Sequence, residues 1–322
     1  METLPCNIPI AELQPVYSVA EVDRAMEGSA STKNEGLKSW YEKMRSLGGS
    51  RFMVKPTAIA SLDALYEKSP NFTGVLDDLK KYLALAIASG EPTQFTPLLL
   101  LGEPGLGKTH FAKKLSQALG TGFEFVSMNS LTAGWILSGA SSQWQNARPG
   151  KVAQTLIQGE YANPLLVLDE VDKAGGDHRY DPMGALYGLL EPDTAVHFQD
   201  EYLEVDMDAS HILWIATAND EATIPEPIMN RMNVYMIERP DADGSRKIAL
   251  SVYQAILDQH SWRFPHEPSD SVLDKLTEIP PRDMRKLLLD AFGNAQLAER
   301  NQLLPEDIDM RKLCGRKAKI GF

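Results

Sequence analysis

The residues best placed to do chemistry are those of Gly102-Glu103-Pro104-Gly105-Leu106-Gly107-Lys108-Thr109. They fit the pattern GxxxxGK[ST], with an apolar run before and an amphipathic stretch after, the setting a phosphate-binding loop requires. Gly105 and Gly107 allow a tight turn that points consecutive backbone N–H groups at phosphate oxygens, and the following helix adds the positive end of its dipole. Lys108 supplies a point charge to the β- and γ-phosphates, and the Thr109 hydroxyl can ligate Mg²⁺. A nucleoside triphosphate, ATP or GTP, is the ligand class.

A second run, LLVLDEVDK, ends four apolar residues in Asp169 and Glu170, about 60 residues beyond the loop. A buried strand delivers both carboxylates to its C-terminal end, where open α/β sheets bind ligands. Asp169 then holds Mg²⁺, and Glu170 polarises the attacking water as general base. A third run, HILWIATAND, ends at Asn219, whose amide on an adjacent strand can orient that water. The stretch SGASSQWQNARPG sets one large aromatic, Trp144, among polar residues, with no helical or strand period to carry it into a core.

The elements that position these groups read as a parallel α/β sheet: short apolar runs at 97–101, 123–127, 165–169, 212–217 and 234–237, separated by amphipathic stretches. After Pro240 the strands stop. Helical patterns follow at 244–259, 270–278, 282–299 and 305–312. Before the sheet, the first 60 or so residues read as a separate region. It has a capping-box helix start at Ser18-Val-Ala-Glu21, a linker GSASTKNEG, and a helix LKSWYEKMRSL whose stripe is Leu37, Trp40, Tyr41, Met44 and Leu47. The expected division is an N-terminal region at 1–60, an α/β nucleotide-binding domain at 61–240, and a helical lid with a basic tail at 241–322. That tail, LCGRKAKIGF, reads as a solvated terminus or a docking peptide.

Composition sets outer limits. The 322 residues are 43% hydrophobic and 24% charged, as in an ordinary globular protein, with a net charge of −12. That balance argues against nucleic acid as a partner, since neutralising phosphates needs clustered Lys and Arg. Cys6 and Cys314 form no disulfide framework or metal-ligand spacing, and no apolar run approaches bilayer length. The start METLPCNIPIAELQP lacks a basic, continuously apolar leader. A cytoplasmic location with no membrane partner is the expectation.

These motifs resemble the AAA+ ATPases, and within them the Lon type. Besides GEPGLGKT and LLVLDEVDK, the segments ARPGKVAQTL, DPMGALYGLLEP, FQDEYLEVDMD and IPEPIMNRMNVYMI resemble Lon segments in the same order, over about residues 70 to 300. The resemblance implies a P-loop sheet core, a helical lid and a homo-oligomer, a hexameric ring, with ATP and Mg²⁺ at each site. It makes Asn219 the sensor-1 residue, Arg231 the arginine finger reaching a neighbour's ATP, and Arg282 the sensor-2 arginine of the lid, with Arg285 one turn on. It places Phe72, in NFTGV, at the adenine. It also puts Trp144, counted back from Pro149-Gly150-Lys151, on a loop facing the central pore, although Gln145 stands where the family has an apolar residue. A Lon-type Ser-Lys protease domain has no place before Phe322, and no GxSxG or HExxH string occurs. The expected function is an ATP-driven protein-remodelling motor with a polypeptide substrate and no peptidase of its own, with recruitment of a separate partner protein or peptidase left open. The alternatives are an ATP-dependent switch or scaffold and a nucleic-acid-remodelling ATPase.

Overall fold

The computed structural model describes residues 10–29, 34–128, 135–144, 146–174 and 183–314. Cys6, Gln145 and the basic end of the tail from 315 onward, with Ile320 and Phe322, lie outside the described residues, as does part of the GSASTKNEG stretch. The chain divides into two compact units. One comprises Met1–Leu62, Asp77–Gly102 and Ala112–Met236; the other comprises Asp63–Leu76, Glu103–Phe111 and Ile237–Phe322.

Among the described residues the first unit has nine strands: β1 (Ile10–Pro15), β2 (Ser50–Lys55), β3 (Leu98–Leu101), β4 (Phe123–Ser127), β5 (Leu165–Asp169), β6 (Phe198–Gln199), β7 (Asp206–Met207), β8 (Leu213–Ala218) and β9 (Asn233–Met236). Five of them form a parallel sheet in the order β4-β5-β8-β3-β9. The central strands are apolar on both faces: all of β3, Leu165–Leu168 of β5 and all of β8 are buried. Such strands must be covered on both sides, which is why they read as continuous apolar runs rather than alternating ones. The chain leaves β3 toward β4 and β5 at one edge and returns past β8 to β9 on the other side, so the order reverses at β3. The C-terminal ends of β3, β5 and β8 share one edge of the sheet, the place where such folds bind ligands.

The N-terminal residues pack into this same unit rather than standing apart. β1 pairs antiparallel with β2, and the helices Val19–Gly28 and Glu35–Leu47 lie between them in sequence. Tyr17, Val22, Leu37, Tyr41, Met44 and Met53 belong to one core with Leu99, Val126 and Trp214 of the sheet. A pair of helices with one narrow apolar stripe each cannot bury it alone. The first helix begins where the capping-box string places it, but Ser18 makes no side-chain cap; at the second, Asn34 accepts from the Leu37 N–H at 3.1 Å.

The second unit is helical from Ala242: helices Ala242–Leu257, Asp270–Thr277 and Pro281–Leu297 bury Tyr253, Leu273, Leu288, Phe292 and Ala295 in one cluster. Asp241 caps the first of them, accepting from Gly244 N–H at 2.7 Å. The pattern at 305–312 does not form a continuous helix. It is a 3₁₀ turn, Pro305–Asp307, and a separate short helix, Arg311–Cys314. Asp307 fixes the start of that turn: its carboxylate accepts from Leu304 N–H at 2.8 Å, as the third residue of a capping box does, and pairs with Arg300 at 2.6 Å. Among the described residues no helix is long and apolar enough to cross a membrane.

Candidate nucleotide-binding and hydrolysis residues

In the first unit the register of β5 against β8, Leu168 opposite Ala216, sets Asp169 level with Thr217. The Thr217 hydroxyl, on a residue only 2% exposed, donates to Asp169 Oδ1 at 2.8 Å and accepts from the Glu170 backbone N–H at 3.0 Å. One hydroxyl thus fixes a metal-binding type of carboxylate and the main chain of the residue after it. Sequence reasoning passed over Thr217; its signal was a polar residue inside an otherwise apolar strand, two before Asn219. Glu170 itself adopts left-handed backbone, φ 57°, ψ 52°, sparsely populated by residues with a Cβ. Its carboxylate meets Lys173 Nζ at 2.5 Å, a contact that raises the lysine's pKa. Gly102 N–H donates to Ala218 O at 3.2 Å, so Asn219 leaves β8 at the level where the chain leaves β3 for the phosphate loop. Asp169, Glu170 and Asn219 are therefore delivered to one edge of the sheet by neighbouring strands.

In the second unit the loop itself has the conformation its glycines permit. Gly105 and Gly107 have φ of +91° and +88°, a region costly for any side chain, and the helix Lys108–Leu119 starts immediately after. Lys108 is only 8% exposed and its Nζ donates to the Glu103 carbonyl at 3.1 Å. Glu103 receives both Nε and Nη2 of Arg239, at 2.9 and 2.6 Å. Pro104 completes the turn, Leu106 is buried, and Leu106 O accepts from Asn71 Nδ2 at 3.2 Å. Asn71 and Arg239 are further residues that sequence reasoning missed: each ties the loop to a segment remote in sequence. Thr109 occupies the second position of the helix. Phe72 is 2% exposed and stacks on Phe111, ring centroids 4.2 Å apart and planes within 5°. Its ring is packing material under the loop's helix, and its neighbour Asn71 makes the contact to the loop.

Arg282 lies in the first turn of Pro281–Leu297; a Cβ built on Gly105 would stand 3.5 Å from the Arg282 Cβ. Arg285 instead donates to Gln259 at 2.6 Å, so of the two arginines Arg282 is the one beside the loop. Arg231, in the first unit, donates Nη1 to Pro227 O at 2.8 Å, and its Nε lies 2.9 Å from Glu191 Oε1, an ion-pair contact without hydrogen-bond alignment. Trp144 is 47% exposed and meets Trp135 edge to face, centroids 5.3 Å apart, at the side of a cleft of about 650 Å³ that Ser138, His197 and Glu201 also line. Among the described residues no group of three or more His, Cys, Asp or Glu side chains forms a ready-made metal site.

In the second unit a glycine turn and a helix N-terminus flank a nearly buried lysine, and in the first an acidic pair ends a buried strand; these are the elements of a P-loop nucleotide-binding fold. Residues 98–239 match the model of the AAA family, "ATPase family associated with various cellular activities". The chain is also similar in sequence to Lon proteases. It is 36% identical over 177 residues to the Lon protease of Nitrosococcus oceani, covering 54% of this chain and 23% of that protein. The mitochondrial Lon protease homolog of Drosophila melanogaster is 37% identical over 180 residues, 55% of this chain and 17% of its own. The peroxisomal Lon protease homolog 2 of Arabidopsis thaliana is 32% identical over 254 residues, 74% of this chain and 28% of its own. The chain thus spans only 17–28% of the length of these relatives. Among solved structures, the RuvB Holliday junction branch migration motor of Thermotoga maritima aligns with 73% of this chain and 66% of its own, at a TM-score of 0.49 and 16% identity. A likeness that remote bears on neither substrate nor partner.

Proposed function

We propose that this protein is an ATP-hydrolysing motor that remodels polypeptides. The observation that carries the reading is the Thr217 tie, which holds Asp169 and the Glu170 backbone in one fixed arrangement at the ligand-binding edge of the sheet. The residues fit ATP and Mg²⁺: two left-handed glycines ahead of a helix N-terminus suit a triphosphate, and a hydroxyl and a carboxylate suit a hard cation. In this reading the backbone of 103–108 and Lys108 bind the phosphates, while Thr109 and Asp169 hold the metal. Mg²⁺ neutralises charge that builds on the phosphate oxygens. Glu170 takes the proton of the attacking water, Asn219 orients that water, and Arg282 touches the phosphates from the lid of its own subunit. Arg231 reaches the ATP of a neighbour in a hexameric ring once it exchanges Glu191 for phosphate. Trp144, a flat amphipathic ring on an exposed loop, grips an extended chain without regard to its sequence. Peptide-bond cleavage is no part of the proposal.

Nucleotide titration and phosphate release test the assignment of roles. Lys108→Ala is expected to abolish ATP binding, and Glu170→Gln to bind ATP with turnover at background. Equal turnover in Glu170→Gln and the parent overturns Glu170 as the base.

A further inference from the structure

The helix Lys151–Gln158, which follows the Trp144 loop, carries a buried charge at each end, and neither charge belongs to the hydrolytic machinery. At its N-terminus stands Asp200, 0% exposed. Its carboxylate accepts from the Gly150 N–H at 2.7 Å, where Gly150 is the helix N-cap, and from Tyr202 and Leu203 N–H at 2.9 and 3.2 Å. At the C-terminus stands Arg51 of β2, 5% exposed and without a carboxylate partner among the described residues. All five of its N–H donors are used. Nε donates to Leu156 O at 2.8 Å, Nη1 to Gly48 O and Ser50 O at 2.8 and 2.7 Å, and Nη2 to Ile157 O and to the Tyr17 hydroxyl, the latter at 3.2 Å. An anion at the N-terminus and a cation at the last carbonyls are the arrangement that complements a helix dipole from both sides. Between them Val152, Ala153, Leu156 and Ile157 are fully buried. The helix is a fixed strut.

The loop at 139–150 is closed on the same anchor. Gly139 has φ +83°, and a Cβ there would lie 2.6 Å from an Asp200 oxygen; a Cβ on Gly150 would lie 2.4 Å from Gly139 N. The two ends of the loop therefore touch each other across the Asp200 carboxylate, and Ser138 O accepts from Glu201 N–H at 2.7 Å beside them. Trp144 lies within this loop, its N–H donating to Ser141 O at 3.0 Å. β2 is stitched in the same way to the other end of the strut: Phe52 N–H donates to Glu160 O and Ala162 N–H to Phe52 O, both at 2.8 Å, and Asn163 exchanges two bonds with Val54. Burial pushes the Asp200 carboxyl up to about 6 despite its three donors, so the ion costs stability where it stands.

From this continuous path we infer that the N-terminal β1–β2 pair sets the rigidity of the Trp144 loop, with Arg51 and Asp200 as positioning residues at the two ends of the Lys151–Gln158 helix. The loop is firm because its closing helix is locked at the distant end by a residue of β2. The inference gives residues 10–55 a role in the motor unit, and its functional consequence rests on the grip assigned to Trp144.

Hydrogen exchange followed by mass spectrometry on the full chain tests the coupling without relying on that grip. Arg51→Met is expected to speed exchange across 139–150 by about tenfold or more, while β3 and β5 keep the parent's protection. Arg51→Lys, which keeps the charge at the helix end, is expected to fall between the two, and it carries the test should Arg51→Met fail to fold. Asp200→Asn is expected to loosen the same loop from its other side. Faster exchange confined to 48–55 and 156–163 in the Arg51 variants overturns the inference. With the grip in place, Arg51→Lys also raises the concentration of unfolded polypeptide needed for half-maximal stimulation at unchanged basal turnover. Loosening of the loop with no such rise would leave the coupling standing and count against Trp144 as the gripping residue.

Discussion

A single hydroxyl governs the geometry of the proposed reaction. Thr217 is buried, donates to the Asp169 carboxylate and accepts from the Glu170 main chain. Valine has nearly the same shape but neither bond, so Thr217→Val leaves the strand packed and removes one of the bonds that orient the carboxylate. A misplacement of that kind lowers turnover by up to about 10²-fold. The expected signature is a split: kcat falls, ATP affinity holds because the phosphate loop is intact, and Thr217→Ser restores most of the rate. Phosphate release with parallel nucleotide titration reads both quantities. A loss of affinity equal to the loss of rate contradicts a positioning role.

At the scale of elements, Phe72 belongs to packing. It is stacked on Phe111 and buried, so Phe72→Ala is expected to cost about 3–5 kcal/mol of stability through the cavity it leaves. Chemical denaturation measures this. Unchanged stability with altered discrimination between ATP and GTP supports an adenine contact instead. The five sheet strands were legible because β3, β5 and β8 are short runs apolar on both faces, and the carboxylates follow them directly. The phosphate loop was legible because its backbone needs glycine where the pattern has it. β1 and β2 were not: each exposes one face, with Leu13 opposite Phe52 on the outside, and their pairing spans residues far apart in sequence. The same holds for Thr217, Asn71 and Arg51, whose roles depend on partners 35 or more residues away, such as Leu106 O for Asn71. The distinction between Arg282 and Arg285, one turn apart, likewise required knowing that Gln259 takes the second.

For the whole molecule, the proposal requires a neighbour. In one chain Arg231 is engaged by Glu191 and Pro227 O, and its release to a second subunit's ATP makes turnover depend on protein concentration. Loss of such a finger costs about 10³ to 10⁵ in rate in well-studied systems. Mixing Arg231→Ala with Glu170→Gln subunits is expected to restore turnover that neither variant has alone, because some interfaces then join an intact finger to an intact base. No rescue in an ATP-bound mixed assembly argues against a role in trans. The most direct test of the motor reading is steady-state phosphate release by the full chain with increasing concentrations of an unfolded polypeptide, alongside Trp144→Ala. The account predicts that unfolded polypeptide stimulates the parent, while Trp144→Ala keeps basal turnover and loses the stimulation. Slow turnover indifferent to polypeptide in the parent, with the variant identical to it, contradicts the account and leaves a nucleotide-dependent switch in its place.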